Sequence, residues 1–210
     1  RYSPWDVYMT GSFLNWTNPD FEYREAFLAP AEADACLQRL WQELDWEQRE
    51  ITLFGRRVLQ PRLVAWYGDR DAHYAYSGLR LEPKPWHPLL LALKGRVEEA
   101  NGSRFNSVLA NAYRDGNDSM GWHSDDEPEL GTRPQIASLS LGVERTLLLR
   151  RAAALRKPGE KSRKLLLAHG SLLLMRGNSQ EQFQHSVPKT RSVTGLRINL
   201  TYRMVRGQEA

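Results

Sequence analysis

The segment Met120-Gly121-Trp122-His123-Ser124-Asp125-Asp126-Glu127 sets an imidazole and a carboxylate one residue apart. On an extended backbone His123 and Asp125 point the same way, so both can offer a ligand to one divalent ion. A structural zinc site prefers cysteine and histidine and closes all four positions, and the chain has a single cysteine, Cys36. Two histidines and one carboxylate on one face of an octahedron suit Fe(II) instead, and leave positions open for substrate and oxygen. Alone, His-x-Asp is a weak signal. Its meaning depends on a second histidine.

A second stretch suggests where to look. Leu196, Ile198, Leu200, Tyr202 and Met204 alternate with Arg197, Asn199, Thr201 and Arg203, the period of a strand. Such a polar set can simply face water. Two arginines and an asparagine with no lysine or glutamate among them are unusual for a wet face, however, and the guanidinium fork matches carboxylate or phosphate. If the strand lines an interior, a small anion is the natural occupant. Upstream of it, His185 in Gln184-His185-Ser186-Val187-Pro188 is the best candidate for the third metal ligand. His73, His87 and His169 compete, but His87 sits at a helix start before Pro88 and His169 precedes Gly170 in a turn.

The elements that must position these residues follow from periodicity. Pro30 opens a helix, with Cys36, Leu37, Leu40, Trp41 and Leu44 at helical spacing and Glu32 and Asp34 in its first turn. After Pro88, Leu89, Leu90, Leu93 and Val97 mark a second helix that Asn101-Gly102 ends. Phe21–Arg24 reads as a short strand, and residues 1–20 as an irregular segment. Residues 46–86 hold a strand at Ile51–Phe54, then Gly55 and Arg56-Arg57, then short pieces and loops broken by proline and glycine. Their aromatics, Trp66, Tyr67, Tyr74, Tyr76 and Trp86, have packing as their plainest role. From residue 105 the period is two, with candidate strands at Ser107–Tyr113, Ile136–Leu141, Thr146–Arg150, Lys164–Leu167, Ser171–Met175 and Leu196–Val205. Helices followed by many strands predict an α+β fold, and strands without intervening helices favour a barrel or jelly roll. Residues 150–164 form a hairpin loop with seven cations against one anion, Glu160, which taken alone is a solvated basic loop.

With 41% hydrophobic and 26% charged residues, a chain of 210 residues suits one soluble domain with a real core. No apolar run is long enough to span a membrane, and the start has no signal-peptide pattern. The single cysteine predicts a reducing, intracellular setting, cytoplasmic in a bacterium and nuclear in a eukaryote. The net charge of +4 permits a nucleic-acid partner without establishing one.

Taken together, His123-x-Asp125, His185 and Arg197-Ile198-Asn199-Leu200-Thr201-Tyr202-Arg203 resemble the AlkB-type Fe(II)/2-oxoglutarate-dependent dioxygenases, which repair alkylated nucleic-acid bases. The likeness extends to Asn111-Ala112-Tyr113-Arg114, Ile136–Gly142, His169–Met175, Pro61-Arg62 and Tyr67-Gly68-Asp69, over roughly residues 50–205. It implies a double-stranded β-helix (jelly-roll) core at 105–210. The N-terminal extension, helices packed outside the core and a nucleotide-recognition lid would occupy 1–104, within one integrated catalytic domain. It implies that His123, Asp125 and His185 hold Fe(II), that Arg197 and Tyr113 bind the distal carboxylate of 2-oxoglutarate, and that Arg203 and Asn111 hold its metal-proximal end with Asn199 in support. O2 takes the remaining metal position. The implied reaction is oxidative demethylation of N-alkylated bases in DNA, such as 1-methyladenine and 3-methylcytosine, by a monomer, with 2-oxoglutarate decarboxylated and formaldehyde released. An oxygenase of RNA or protein and a non-catalytic nucleic-acid-binding barrel are the alternatives. Tyr74 and Tyr76 match positions that clamp the base, and Asp126 and Glu127 match positions near its exocyclic group. Phe54 resembles the intercalating aromatic of members that act on duplex DNA. Arg56, Arg57, Arg150, Arg151, Lys161 and Lys164 are candidate phosphate contacts.

Overall fold

In the computed structural model, the strand that carries the arginines lies inside the larger of two antiparallel sheets that line one cavity. The structure describes residues 18–53, 55–72, 74–76 and 79–206, with the backbone alone for 51–53, 74–76 and 79–81. In chain order the strands and helices are β1 (Phe21–Arg24), α1 (Pro30–Glu43), β2 (Glu50–Leu53), β3 (Arg56–Leu59), β4 (Leu63–Gly68), β5 (Tyr74–Tyr76), β6 (Leu79–Leu81), α2 (Pro88–Asn101) and β7 (Ser107–Tyr113). There follow β8 (Met120–His123), β9 (Ile136–Gly142), β10 (Arg145–Arg151), β11 (Arg163–Leu167), β12 (Leu172–Met175), α3 (Ser179–Gln182), β13 (Phe183–Val187) and β14 (Arg197–Arg203). The larger sheet has the order β1-β12-β9-β14-β7-β4, the smaller β11-β10-β13-β8, and β2-β3 and β5-β6 are separate hairpins.

All seven residues of β14 are buried, which decides the question its alternation left open. Ile198, Leu200 and Tyr202 share a face with Ala110 and Ala112 of β7 and Leu139 and Leu141 of β9. Against that face pack Ala33, Cys36 and Leu40 of α1 and Leu90, Leu93 and Val97 of α2, in one apolar cluster. Burying each such aliphatic side chain contributes about 1.5–3 kcal/mol, so this layer anchors the strand. The Tyr202 hydroxyl, buried with it, donates to the Leu90 carbonyl at 3.0 Å. Arg197, Asn199, Thr201 and Arg203 therefore turn to the other face, toward the smaller sheet, in register with Tyr113, Asn111 and Ser140.

Both helices form where the periodicity places them. Proline stands at the first helical position of each, where a missing N–H costs nothing. The αL conformation that stops α2 falls on Gly102, at φ 72°. Six strands lay outside the sequence reading: β3, β4, β5, β6, β8 and β13. β4, read as broken extended pieces, edges the larger sheet and buries Trp66 and Tyr67. β8 and β13 pair with each other in the smaller sheet. The basic hairpin is shorter than its sequence suggested, because β10 runs to Arg151 and β11 resumes at Arg163.

Candidate active site

The histidines meet because β8 and β13 are neighbours: His185 stands directly opposite His123, with ring centroids 4.2 Å apart. The register shifts just past His185, a bulge of the kind that re-aims side chains beside sites. Asp125 lies beyond the end of β8, yet it is buried. The ligand atoms of His123, Asp125 and His185 all fall within 4.8 Å of one another, and no other group of this kind occurs among the described residues.

The surroundings of the triad suit a metal. His123 Nδ1 lies 2.9 Å from the Gly121 carbonyl, which can only accept. The proton therefore sits on Nδ1 and leaves the Nε2 lone pair for an ion. Burial, aided by His123, pushes the His185 imidazole down to about 4, so it is neutral near pH 7. Burial alone would raise the Asp125 carboxyl, but the Arg203 guanidinium, with His185 and His123, outweighs that and holds it below the usual range. Arg203 Nη2 donates to Asp125 Oδ1, while Oδ2 faces His185 Nε2 at 3.7 Å. The competing histidines have structural partners. His87 caps α2, its Nδ1 accepting from Leu89 N–H at 3.2 Å and its Nε2 meeting Glu43 at 2.9 Å. His169 Nδ1 accepts from Gly142 N–H at 2.8 Å, and its Nε2 faces Asp34 at 3.2 Å. His73 lies outside the described residues.

The cavity that contains the triad is also lined by Asn111, Tyr113, Arg197, Asn199 and Arg203, so the structure brings the predicted metal and co-substrate residues together. Arg197 is 1% exposed. Its Nη2 donates to Ser140 Oγ at 3.1 Å and Asn199 Oδ1 at 2.9 Å, whereas its Nε and Nη1 are buried with no hydrogen-bond partner. A buried guanidinium with two idle nitrogens and no carboxylate bonded to it fits an anionic ligand. Asn199 also accepts from Ser138 Oγ at 2.9 Å and donates to Thr201 Oγ1 at 2.8 Å, which fixes its amide.

Two buried arginines escaped the sequence reading as site residues. Arg62 Nε donates to Asn111 Oδ1 at 2.8 Å, so the Asn111 amide must present its NH₂ elsewhere. Arg145 binds the carbonyls of Asp115, Asp118 and Pro188 at 3.1, 2.9 and 2.7 Å. Its guanidinium and that of Arg197 lie 5.5 and 5.1 Å from the centroid of the Tyr113 ring. Pro61-Arg62 stood within the family-like stretches, but nothing in either arginine's local sequence marks it.

The substrate side is more dispersed. Phe54 lies outside the described residues. Tyr74 and Tyr76 stand on β5, paired to β6, and their side chains are likewise outside the description. Asp126 is exposed. Glu127 Oε1 is 3.8 Å from Arg203 Nη1, and burial raises its carboxyl. Arg56 and Arg57 are exposed, Arg57 facing Glu50 at 3.6 Å. Arg150 lies 4.1 Å over the Trp122 ring and donates to Gln184 Oε1, and Arg151 pairs with Glu160 at 3.5 Å. Lys161 and Lys164 are exposed.

The sandwich of two antiparallel sheets around a His-Asp-His triad and a buried arginine defines a jelly-roll metal oxygenase. A match to the 2OG-Fe(II) oxygenase superfamily spans residues 20–203. Alpha-ketoglutarate-dependent dioxygenase alkB homolog 3 of Homo sapiens is 45% identical over 184 residues, covering 85% of this chain and 64% of that protein. DNA oxidative demethylase ALKBH2 of Mus musculus is 41% identical over 182 residues, 83% of this chain and 76% of that one. The chain belongs to the 2OG-Fe(II) oxygenase superfamily, as an AlkB-type member. It spans a little under two thirds of the length of the alkB homolog 3 proteins it matches. The solved structure of OsALKBH1 shares the fold, with a TM-score of 0.65 at 16% identity over 90% of this chain and 100% of that one. Membership brings Fe(II), 2-oxoglutarate and O2 as cofactors, and the triad and Arg197 are suited to the first two.

Proposed function

We propose that this protein is an Fe(II)/2-oxoglutarate-dependent demethylase of N-alkylated bases in DNA, such as 1-methyladenine and 3-methylcytosine. The observation that carries the proposal is the shared cavity: three ligands ready for a metal, and a buried arginine with two unused nitrogens beside them. Bound there, Fe(II) would let O2, with 2-oxoglutarate as the co-reductant, hydroxylate a C–H bond, one oxygen atom passing to the substrate and the other to succinate while carbon dioxide is released. His123, Asp125 and His185 hold the metal, and Arg203 keeps Asp125 ionised. Arg197 receives the distal carboxylate through Nε and Nη1, with Tyr113 beside it and Ser140 and Asn199 fixing its plane. Asn111, oriented by Arg62, offers its NH₂ to the metal-proximal end together with Arg203. A hydroxylated N-methyl group then breaks down to formaldehyde and the free base.

DNA is favoured by the relative whose name specifies DNA oxidative demethylase, and a nucleic-acid substrate in general by the exposed cations of β3 and the basic hairpin. A base inside a duplex must leave the stack to reach the cavity. Tyr74 and Tyr76 clamp the base, Asp126 and Glu127 face its positive ring, and Phe54 fills the gap left in a duplex. Arg56, Arg57, Arg150, Arg151, Lys161 and Lys164 hold phosphates. In this reading the segment before residue 105 supplies the lid, the outer helices and the edge strands β1 and β4, and the segment after it the rest of the oxygenase core, acting as a monomer. The test is single-lesion oligonucleotides, DNA and RNA, single- and double-stranded, with succinate and formaldehyde measured together. The expected result is equimolar release with methylated DNA, abolished in Asp125→Ala. Succinate formation driven by methylated peptide, with none driven by any oligonucleotide, refutes the proposal.

A further inference from the structure

Asp125 is the carboxylate of the triad, yet no sheet ladder holds it, because β8 stops at His123. Its side chain is tied to Arg203. Its backbone is tied by one side chain: Asp125 N–H donates to Gln180 Oε1 at 2.9 Å, and both residues are buried. Gln180 lies in α3, the short turn that leads directly into β13 and His185. Its amide orientation is over-determined. The N–H of Asp125 is a donor, so the oxygen must face it, and Nε2 then falls 3.1 Å from Ser179 Oγ and 3.6 Å from Met175 Sδ, both of which accept. Ser124 adds a parallel tie, its hydroxyl donating to the Phe183 carbonyl at 2.9 Å. Two consecutive residues of the loop that bears the carboxylate are thus fastened to the segment that bears the histidine.

We propose that Gln180 is a positioning residue for the metal site: it sets where Asp125 stands relative to His185 without touching the ion. The inference rests on the reading of His123, Asp125 and His185 as metal ligands. A ligand that leaves a strand end is free to drift by the width of a loop fluctuation. A chelate of three groups from two segments keeps its affinity only if the segments are held at fixed spacing before the ion arrives. The carboxamide does this from a fixed orientation, through an acceptor that meets the Asp125 N–H and does not touch the ion.

The test titrates Co(II) into the metal-free full chain, following visible absorption, for the parent, Gln180→Met, Gln180→Glu and Asp125→Ala. Methionine keeps length and volume but loses the strong acceptor. Glutamate keeps an acceptor at the same reach. Gln180→Met is expected to bind Co(II) about ten-fold more weakly, the lower end for loss of a group that orients a ligand, and with a changed absorption band. Gln180→Glu is expected to restore parent-like affinity and band. A purely structural role would lower the melting temperature but leave the affinity of the still-folded protein alone. Parent-like affinity in Gln180→Met, or equal weakening in Gln180→Glu, overturns the proposal. If Gln180→Met does not fold, Gln180→Asn, polar but one methylene short, replaces it with the same two readings. Asp125→Ala separates the layers: unchanged Co(II) binding there defeats the ligand assignment itself, whereas lost binding there with parent-like Gln180→Met defeats only the positioning role.

Discussion

Replacing Arg197 with methionine should move the stability of the free protein and its response to 2-oxoglutarate in different ways. In the free protein the guanidinium is fully buried, and its bonds run to neutral partners, Ser140 and Asn199. Burial depresses its pKa, a sign that the charge is held there at a cost. Methionine fills similar space without that cost, and Asn199 Oδ1 keeps the Ser138 hydroxyl. The metal-free, ligand-free melting temperature of Arg197→Met should therefore equal or exceed the parent's. The co-substrate response should collapse. Each hydrogen bond to a charged group contributes about 1.5–3 kcal/mol. The two idle nitrogens together are thus worth ~3–6 kcal/mol toward a carboxylate, about 10²–10⁴ in affinity. At 2-oxoglutarate one hundred times the parent dissociation constant, linkage stabilises the parent by ~2.7 kcal/mol, and the variant by almost nothing. Paired thermal melts with Mn(II), with and without 2-oxoglutarate, read both effects. A 2-oxoglutarate shift of parent size in Arg197→Met refutes the anion assignment, and a collapsed free-protein melting temperature refutes the account of an uncompensated buried cation.

Asp118 makes two bonds to the Arg114 side chain and one to its backbone N–H. Burial opposes but these bonds prevail, so its carboxyl is held below the ordinary value of 3.8. A depressed carboxyl contributes stability above its unfolded pKa and loses it as pH falls through the folded one. Asp118→Asn should accordingly be about 1–3 kcal/mol less stable at pH 7, with the gap to the parent narrowing below about pH 4 in denaturant titrations. His169→Ala should lose about 1 kcal/mol from the unpaired Gly142 N–H while binding Co(II) as the parent does. Weakened metal binding there would mean that the wrong histidine was chosen. Replacing Lys161 and Lys164 with alanine should reduce the slope of log K against log salt for duplex DNA by about 0.9 per lost phosphate contact, whereas curves that overlay the parent return the hairpin to a solvated loop.

The residues most legible in the sequence were those where one rule decided the outcome. The alternation of Arg197 to Arg203 could be read because an inner strand obeys period two along its whole length. The helices were legible from proline, apolar spacing and Gly102. β8 and β13, which carry both histidines, were hidden for a physical reason. They are short, mix polar and aromatic residues, and pair through a bulge, so neither shows a clean alternation. Arg62, Arg145 and Gln180 were hidden for another. Their partners are distant in the chain, Asn111 being 49 positions from Arg62 and Asp125 being 55 from Gln180, and a lone polar residue carries no local sign of such a bond.

The sheet order has a consequence for how the chain is made. β14 is the last strand of the larger sheet to leave the ribosome, yet it lies inside, between β9 and β7. Until it emerges, β1-β12-β9 and β7-β4 are two fragments, each with a bare edge offering N–H and C=O groups to any neighbour. The nascent protein thus passes through a stage in which its two inner edges are sticky and its cavity lacks one wall. A ribosome stalled before Arg197 should release a chain that aggregates instead of a weak enzyme.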